Sequence, residues 1–339
     1  MRQITNALGS SKVATLLALG MAGLYAITEF GTHDTMTATA ALSDSEISGR
    51  AQTERNSLAG IPLPLLRPDD LPYIEQPHHV NVASLADSLD DASFDLADIR
   101  AGAPVPRYFV EHIPVGILDL TDVKEKKRLF LSVALPLVLK VNEEITSRRN
   151  RLVQIVRARI AGHELSEGDA SWLKNTASYY ETSPTKTAEL LERIQPVPVS
   201  LALAQSIEES GWGTSRFARE GNALFGQRVW AQGNGIVPHG RADGQKYEVK
   251  TFATLEQSIR EYVHNLNSHP AYAEFRDERS RLLIGNDTAS GYELADSLLS
   301  YSERGEDYVE TIRSLMEVNR LTQFDDAELA PEQVVQVFN

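Results

Sequence analysis

The sequence predicts a mainly α (α+β) protein, a helical body with a small β-lobe, preceded by an N-terminal helical extension. Three observations carry this reading. Apolar residues recur at helical spacing from residue 123 onward, as in Phe130, Val133, Ala134, Leu137, Val138, Val141 and Ile145. After Gly226 that spacing gives way to Gly233, Gly235, Pro238, Gly240 and Gly244, then to Tyr247, Val249 and Thr251 alternating with charged residues, a pattern of turns and two or three short strands. Apolar residues make up 42% of the 339, enough for a sizeable core plus appendages.

Taken in order, Arg2 and Lys12 precede an apolar run from Val13 to Ile27, with Ala38-Thr39-Ala40 as a small-residue cleavage pattern downstream. Residues 1–31 therefore read as an export signal, either cleaved or kept as an inner-membrane anchor, and the expected location is the periplasm. Residues 32–106 are rich in Ala, Ser, Asp and Pro, with five prolines from Pro62 to Pro77, and read as a tether whose acidic side chains (Asp87, Asp90, Asp91, Asp95, Asp98) are solvated. Residues 107–195 form the helical extension: a long helix kinked or broken at Pro136 and continuing with a basic face (Arg148, Arg149, Arg151), one helix near Trp172, and one between Thr185 and Ile194. Residues 196–321 form the core, with helices at Val199–Ser210, from Thr254, at Tyr292–Leu299 and at Tyr308–Asn319. Residues 322–339 read as an acidic, peripheral tail.

A net charge of −14 and a pI near 5.1 argue against nucleic acid as a partner, since neutralising phosphates requires a basic face. The chain has no cysteine, which excludes disulfides and thiolate metal sites. The histidines show no metal-ligand spacing, so no metal or other cofactor is expected. His264 and His269 read instead as hydrogen-bonding residues near a helix end.

The densest chemical signal is Gln205-Ser-Ile-Glu-Glu-Ser-Gly-Trp-Gly213, followed by Asn222-Ala-Leu-Phe-Gly226. Val199, Leu203 and Ile207 mark one face of a helix entered past Pro196 and Pro198, and Glu209 ends it just before a glycine-flanked aromatic turn. Ala202, Gln205, Ser206 and Glu209 share a small or polar face, suited to the floor of a cleft. A Glu shielded by apolar walls holds its proton near neutral pH and can deliver it to a leaving oxygen. Glu208 points about 100° away around the helix and reads as structural or solvated.

Glu209-Ser-Gly-Trp-Gly through Asn222-Ala-Leu-Phe-Gly, then Asn265-Leu-Asn-Ser-His-Pro-Ala-Tyr272, then Tyr301-Ser-Glu-Arg-Gly-Glu-Asp-Tyr308 resemble the Bax-like glucosaminidase proteins, relatives of flagellar-type peptidoglycan glucosaminidases and of the lysozyme superfamily. The resemblance spans roughly residues 120 to 320. It implies a lysozyme-like layout, peptidoglycan glycan strands as substrate, and Glu209 as the acid, since the family places it directly before Ser-Gly-Trp. Tyr301 matches a family tyrosine facing the acid. Flagellar-type relatives carry a second Glu on the β-lobe; here residues 235–240 hold none, and only Asp243 and Glu248 lie near. The substrate's own N-acetyl group is then a candidate to assist. Trp212, Asn222, Trp230 and Glu248 are candidate substrate-binding residues, Trp230 as a sugar platform and Asn222 with a turn role as its alternative. Phe225, beside Leu224, reads as core. A lytic transglycosylase, a muramidase and a non-catalytic wall-binding module are the competing readings, although transglycosylases usually have Gly-Leu-Met-Gln where this chain has Asn-Ala-Leu-Phe-Gly.

Overall fold

Asn81 caps the first helix of the computed structural model: its Oδ1 accepts from the Ser84 amide at 2.9 Å, and the chain coils as α1 (Val82–Asp91). The structure describes residues 80–331, apart from 231, 232, 234, 242, 243, 285–287 and 300. The expected export segment, most of the expected tether and residues 332–339 lie outside these. Among the described residues no helix is long and apolar enough to cross a membrane.

The folded body begins well before residue 106, which corrects the expected tether boundary. Leu85 and Leu89, one turn apart on α1, are fully buried, and Phe94 and Ile99 continue the same apolar contact into α2 (Leu96–Arg100). Asp95 starts that helix by accepting from the Ala97 amide at 2.6 Å. The acidic residues that gave this stretch its tether-like composition all lie on the exposed side. A few apolar side chains at helical spacing outweigh a polar average, because only one face of a surface helix has to be buried.

Asp122 caps α3 (Val123–Ile160) through the amides of Lys124 and Glu125, and the helix runs unbroken through Pro136. Of the kink or break expected there, the break does not occur. Every residue from Leu129 to Leu139 is buried, so the surrounding core holds this stretch helical despite the missing amide donor at Pro136. This helix forms a pillar against which later helices pack. Its basic second half is occupied by neighbours: Arg149 donates to the carbonyls of Leu191 and Ile194, Arg148 to the Tyr180 hydroxyl, and Arg151 to Asp169. These bonds tie down α4 (Glu167–Tyr179, capped by Ser166) and α5 (Thr187–Arg193).

The helix α6 (Val199–Ser210) lies against α3 and is buried on nearly every side. A short α7 (Arg216–Gly221) leads to the β-lobe, a three-stranded antiparallel sheet of β1 (Arg228–Val229), β2 (Gly235–Ile236) and β3 (Glu248–Lys250) in the order β1-β3-β2. The register pairs Arg228 with Val249 and Ile236 with Val249 from the other side. Phe217, Ala223, Val249 and Phe252 form a separate small core beneath it. Helices resume with α8 (Leu255–Ser268, capped by Thr254), a 3-10 turn at Pro270–Tyr272, α9 (Ala273–Leu282) and α10 (Gly291–Leu294) running into a second 3-10 turn, then α11 (Glu306–Asn319).

The start of the expected peripheral tail is part of the core. Leu321 and Phe324 are fully buried from a 3-10 turn, three residues apart on one side of it. Asp325 accepts from the backbone amide and the hydroxyl of Ser200 at 2.7 and 2.8 Å, at the first turn of α6. Val105 and Leu329 form a parallel bridge, with Val105 donating to the Glu328 carbonyl and Ala330 to the Val105 carbonyl.

Truncating Leu89 to Ala should lower unfolding free energy by about 2–5 kcal/mol in a denaturant titration, the usual range for a buried leucine. A residue of a solvated tether would change it by under about 0.5 kcal/mol.

Candidate active site

The Ser-Gly-Trp-Gly motif turns the chain sharply where α6 ends. Gly211, Trp212 and Gly213 all adopt positive φ, at 58°, 59° and 76°. At Gly213 the backbone passes so close to Phe130 of α3 and to Ile113 before it that a Cβ would stand 3.1 Å from the ring and 3.0 Å from the isoleucine. Trp212 locks the turn: its ring meets Phe130 edge-on at 5.8 Å, and Lys127 Nζ lies 4.8 Å from its centroid. The motif thus fixes the end of α6, and with it Glu209, against the central pillar.

Glu209 keeps partial exposure while its carboxyl sits among groups that exclude water. Tyr308 of α11 donates its hydroxyl hydrogen to Oε1 at 3.4 Å. Oε2 faces Gly226, where a Cβ would stand 3.4 Å away; with φ at 59° as well, glycine keeps this side of the carboxyl open. Loss of hydration pushes the Glu209 carboxyl up to about 8, helped by the Glu208 charge and opposed by the Tyr308 hydrogen bond and the charges of Arg304 and Arg228. Glu208 is held by Arg304 at 2.6 Å, the structural role expected of it.

Behind Tyr308 lies a buried chain of hydrogen bonds. Gln205 Nε2 donates to the Tyr308 hydroxyl at 3.0 Å, and the Tyr262 hydroxyl of α8 donates to Gln205 Oε1 at 2.6 Å. Gln205, Ala202 and Ser206 are fully buried, so the small polar face of α6 is not a cleft floor, which corrects that expectation. It packs inward, and its amide serves the tyrosines. Tyr262 in turn stacks face to face on Phe225 at 3.8 Å, placing Phe225 in the core.

Tyr301 is buried and stacks on Tyr308 at 5.4 Å; burial, Tyr308 and the Glu209 charge raise its hydroxyl well above the ordinary tyrosine range. Asn222 is buried in a left-handed turn after α7 and donates to the carbonyls of Phe252 and Ala253 at 3.0 and 3.1 Å, which commits its amide to the turn. Glu248 is buried on β3 and accepts from the Gly233 amide through both oxygens, at 3.2 and 3.0 Å. Trp230 is 50% exposed at the end of β1. Asp243 lies outside the described residues. His264 bonds the Tyr179 carbonyl and Ser268, and His269 accepts from the Ala271 amide.

Sequence reasoning missed Tyr308 as the partner of Glu209 and Gln205 as the residue behind it. The available signals were the one-turn spacing of Gln205 and Glu209 and the tyrosine that closes the Tyr301–Tyr308 block. Among the described residues no three acidic or histidine side chains gather as a metal ion requires. A cavity of about 1100 Å³ lies between the second half of α3 and residues 325–329, and neither Glu209 nor its partners line it. Burial and hydrogen bonding, rather than this cavity, single out the region of Glu209.

Residues 185–321 match the glucosaminidase family described as mannosyl-glycoprotein endo-beta-N-acetylglucosaminidase, a span that contains Glu209, Tyr301, Tyr308 and the whole β-lobe. The chain is 31% identical over 189 residues to the protein Bax of Escherichia coli (strain K12), covering 54% of this chain and 66% of that protein, just under two thirds of its length. No solved structure matches the chain. The Glu-Ser-Gly-Trp-Gly block, the helical body and the small sheet thus lie in a chain that carries a glucosaminidase domain and is similar to the protein Bax over 54% of its length.

Proposed function

We propose that this protein is an exported, wall-facing hydrolase that cuts the glycan strand of peptidoglycan at the β-1,4 bond following N-acetylglucosamine, with Glu209 as general acid. The observation that carries the reading is the Glu209 carboxyl, dewatered and pushed up to about 8, so that it holds a proton at neutral pH. Its open side, against Gly226, is where a glycosidic oxygen can approach. Trp230, exposed on the lobe, offers a face on which a sugar ring stacks. The export segment at residues 1–31 supports a periplasmic location, with the chain either released or held at the inner membrane.

The second group required by the chemistry is the N-acetyl carbonyl of the substrate. Glu248 already receives the Gly233 amide in both oxygens, which leaves it poorly placed to act as nucleophile or base. In the first step the acetamido oxygen bonds to C1 while the C1–O bond breaks, and the leaving oxygen takes the Glu209 proton. Water then adds at C1, gives its proton to the Glu209 carboxylate and restores the acetamido group. The same single-acid arrangement favours one alternative, a lytic transglycosylase, in which no water is consumed.

Digestion of purified peptidoglycan by the protein should yield reduced N-acetylglucosamine ends after borohydride treatment, identified by mass spectrometry. Glu209→Gln should remove them, a loss of about 10²–10⁴ in rate. Anhydro-muramyl ends would assign the chemistry to a transglycosylase, and intact strands would leave a wall-binding module.

The pH dependence has a definite sign. The Glu209 carboxyl moves from an ordinary 4.5 to about 8 on folding. The unfolded chain therefore loses this proton first, and the group's contribution to stability, full below about 4.5, is lost as pH rises through 8. Glycan cleavage should fall off through the same upper range. Thermal unfolding should show Glu209→Gln close to the wild type at pH 4 but more stable at pH 9, by an amount on the order of a few kcal/mol.

A further inference from the structure

We infer that Tyr262, which does not touch Glu209, is a positioning residue for the acid: by fixing the direction of the Gln205 amide, it commits the Tyr308 hydroxyl hydrogen to Glu209 Oε1. The inference rests on the reading of Glu209 as the acid and adds how its proton is held. The two ends of a glutamine amide are alike in shape, so partners decide which way it points. Tyr262 is fully buried, and among the described residues its hydroxyl bonds only Gln205, at 2.6 Å. Its hydrogen needs an acceptor there, and only the amide oxygen can be one. Nε2 is thereby turned to the Tyr308 oxygen, 3.0 Å away, and the Tyr308 hydrogen is left to Glu209 Oε1.

Reversing the amide would reverse the whole chain. Tyr308 would then donate to Gln205, Glu209 would lose its donor, and the Tyr262 hydrogen would have no acceptor. The order Tyr262 to Gln205 to Tyr308 to Glu209 is therefore the one arrangement in which every buried hydroxyl hydrogen is satisfied. With Oε1 already accepting, the acid's own proton belongs on Oε2, the oxygen beside Gly226. As Oε2 releases that proton to a leaving oxygen, the Tyr308 donor stabilises the carboxylate that remains.

Other groups face the same carboxyl and set its baseline: Glu208 on its own helix, Arg228 from β1, and Tyr301 and Arg304 from the segment before α11. None of these bonds Gln205, so the relay can be tested separately. The Tyr262 ring stays stacked on Phe225 when only its hydroxyl is removed, and Tyr262→Phe is the variant of choice.

The test is a carbon-13 NMR titration of the Glu209 carboxyl in the full-length protein, assigned by its disappearance in Glu209→Gln, with the pH profile of glycan cleavage measured alongside. Tyr308→Phe should raise the Glu209 midpoint, and Tyr262→Phe should raise it by a smaller amount in the same direction. Gln205→Met, which keeps the side chain's length, should also raise it and provides the check if Tyr262→Phe folds poorly. A Tyr262→Phe midpoint equal to the wild type, with Tyr308→Phe shifted, overturns the inference, as does a midpoint that none of the three moves. Because the titration needs no substrate, a wild type that cuts no glycan would remove the proposed reaction without deciding the relay.

Discussion

The structure depends on keeping water away from one carboxyl while leaving one of its oxygens reachable. Glu209 meets both demands because α6 is buried along almost its whole length and emerges only in its last turn. Everything around that turn serves the same constraint. Gly211 and Gly213 let the chain reverse at once, Trp212 seals the reversal against Phe130 and Lys127, and Gly226 leaves a gap no side chain fills. Desolvation, the largest influence on this group, is a property of the whole packing rather than of any single neighbour.

The sequence made some of this readable and hid the rest for physical reasons. The bounds of α6, the lobe of short strands and the position of Glu209 at the helix end were legible because helical spacing, glycine clustering and the Glu-Ser-Gly-Trp-Gly block are local signals. The inward packing of Gln205 was not, since a polar residue beside a Glu looks solvent-facing until two tyrosines from distant helices arrive to satisfy it. The same holds for Asn222, whose amide is taken by carbonyls thirty residues on. The composition of residues 82–100 concealed two helices because their polar outer faces outnumber the few buried leucines, and Pro136 suggested a break that complete burial overrides.

The β-lobe shows how a residue type alone misleads about chemistry. Glu248 is an acid in the neighbourhood where a second carboxylate is sought, yet both of its oxygens hold the Gly233 amide. On β3 it sits opposite Val229 of β1, so it anchors the turn that the two strands require. Removing its charge would loosen the lobe whether or not the lobe touches a sugar. A loss of activity on substituting Glu248 is therefore no evidence for catalysis.

The helix that carries Glu209 is held at both ends by the C-terminal part of the chain. At its start, Asp325 takes the Ser200 amide and hydroxyl, and burial pushes its own carboxyl up to about 6. A carboxylate there also complements the positive end of the helix dipole. At its far end, Tyr308 reaches Glu209. Between those two anchors, α11 packs along α6, with Leu321 and Phe324 closing the core beneath the first turn. The residues that look like a tail thus clamp the entry of the same helix whose exit carries Glu209. Both clamps add to the packing against α3 and to the glycine-flanked turn, so the last turn of the helix is held beside Tyr308 from three sides of the fold.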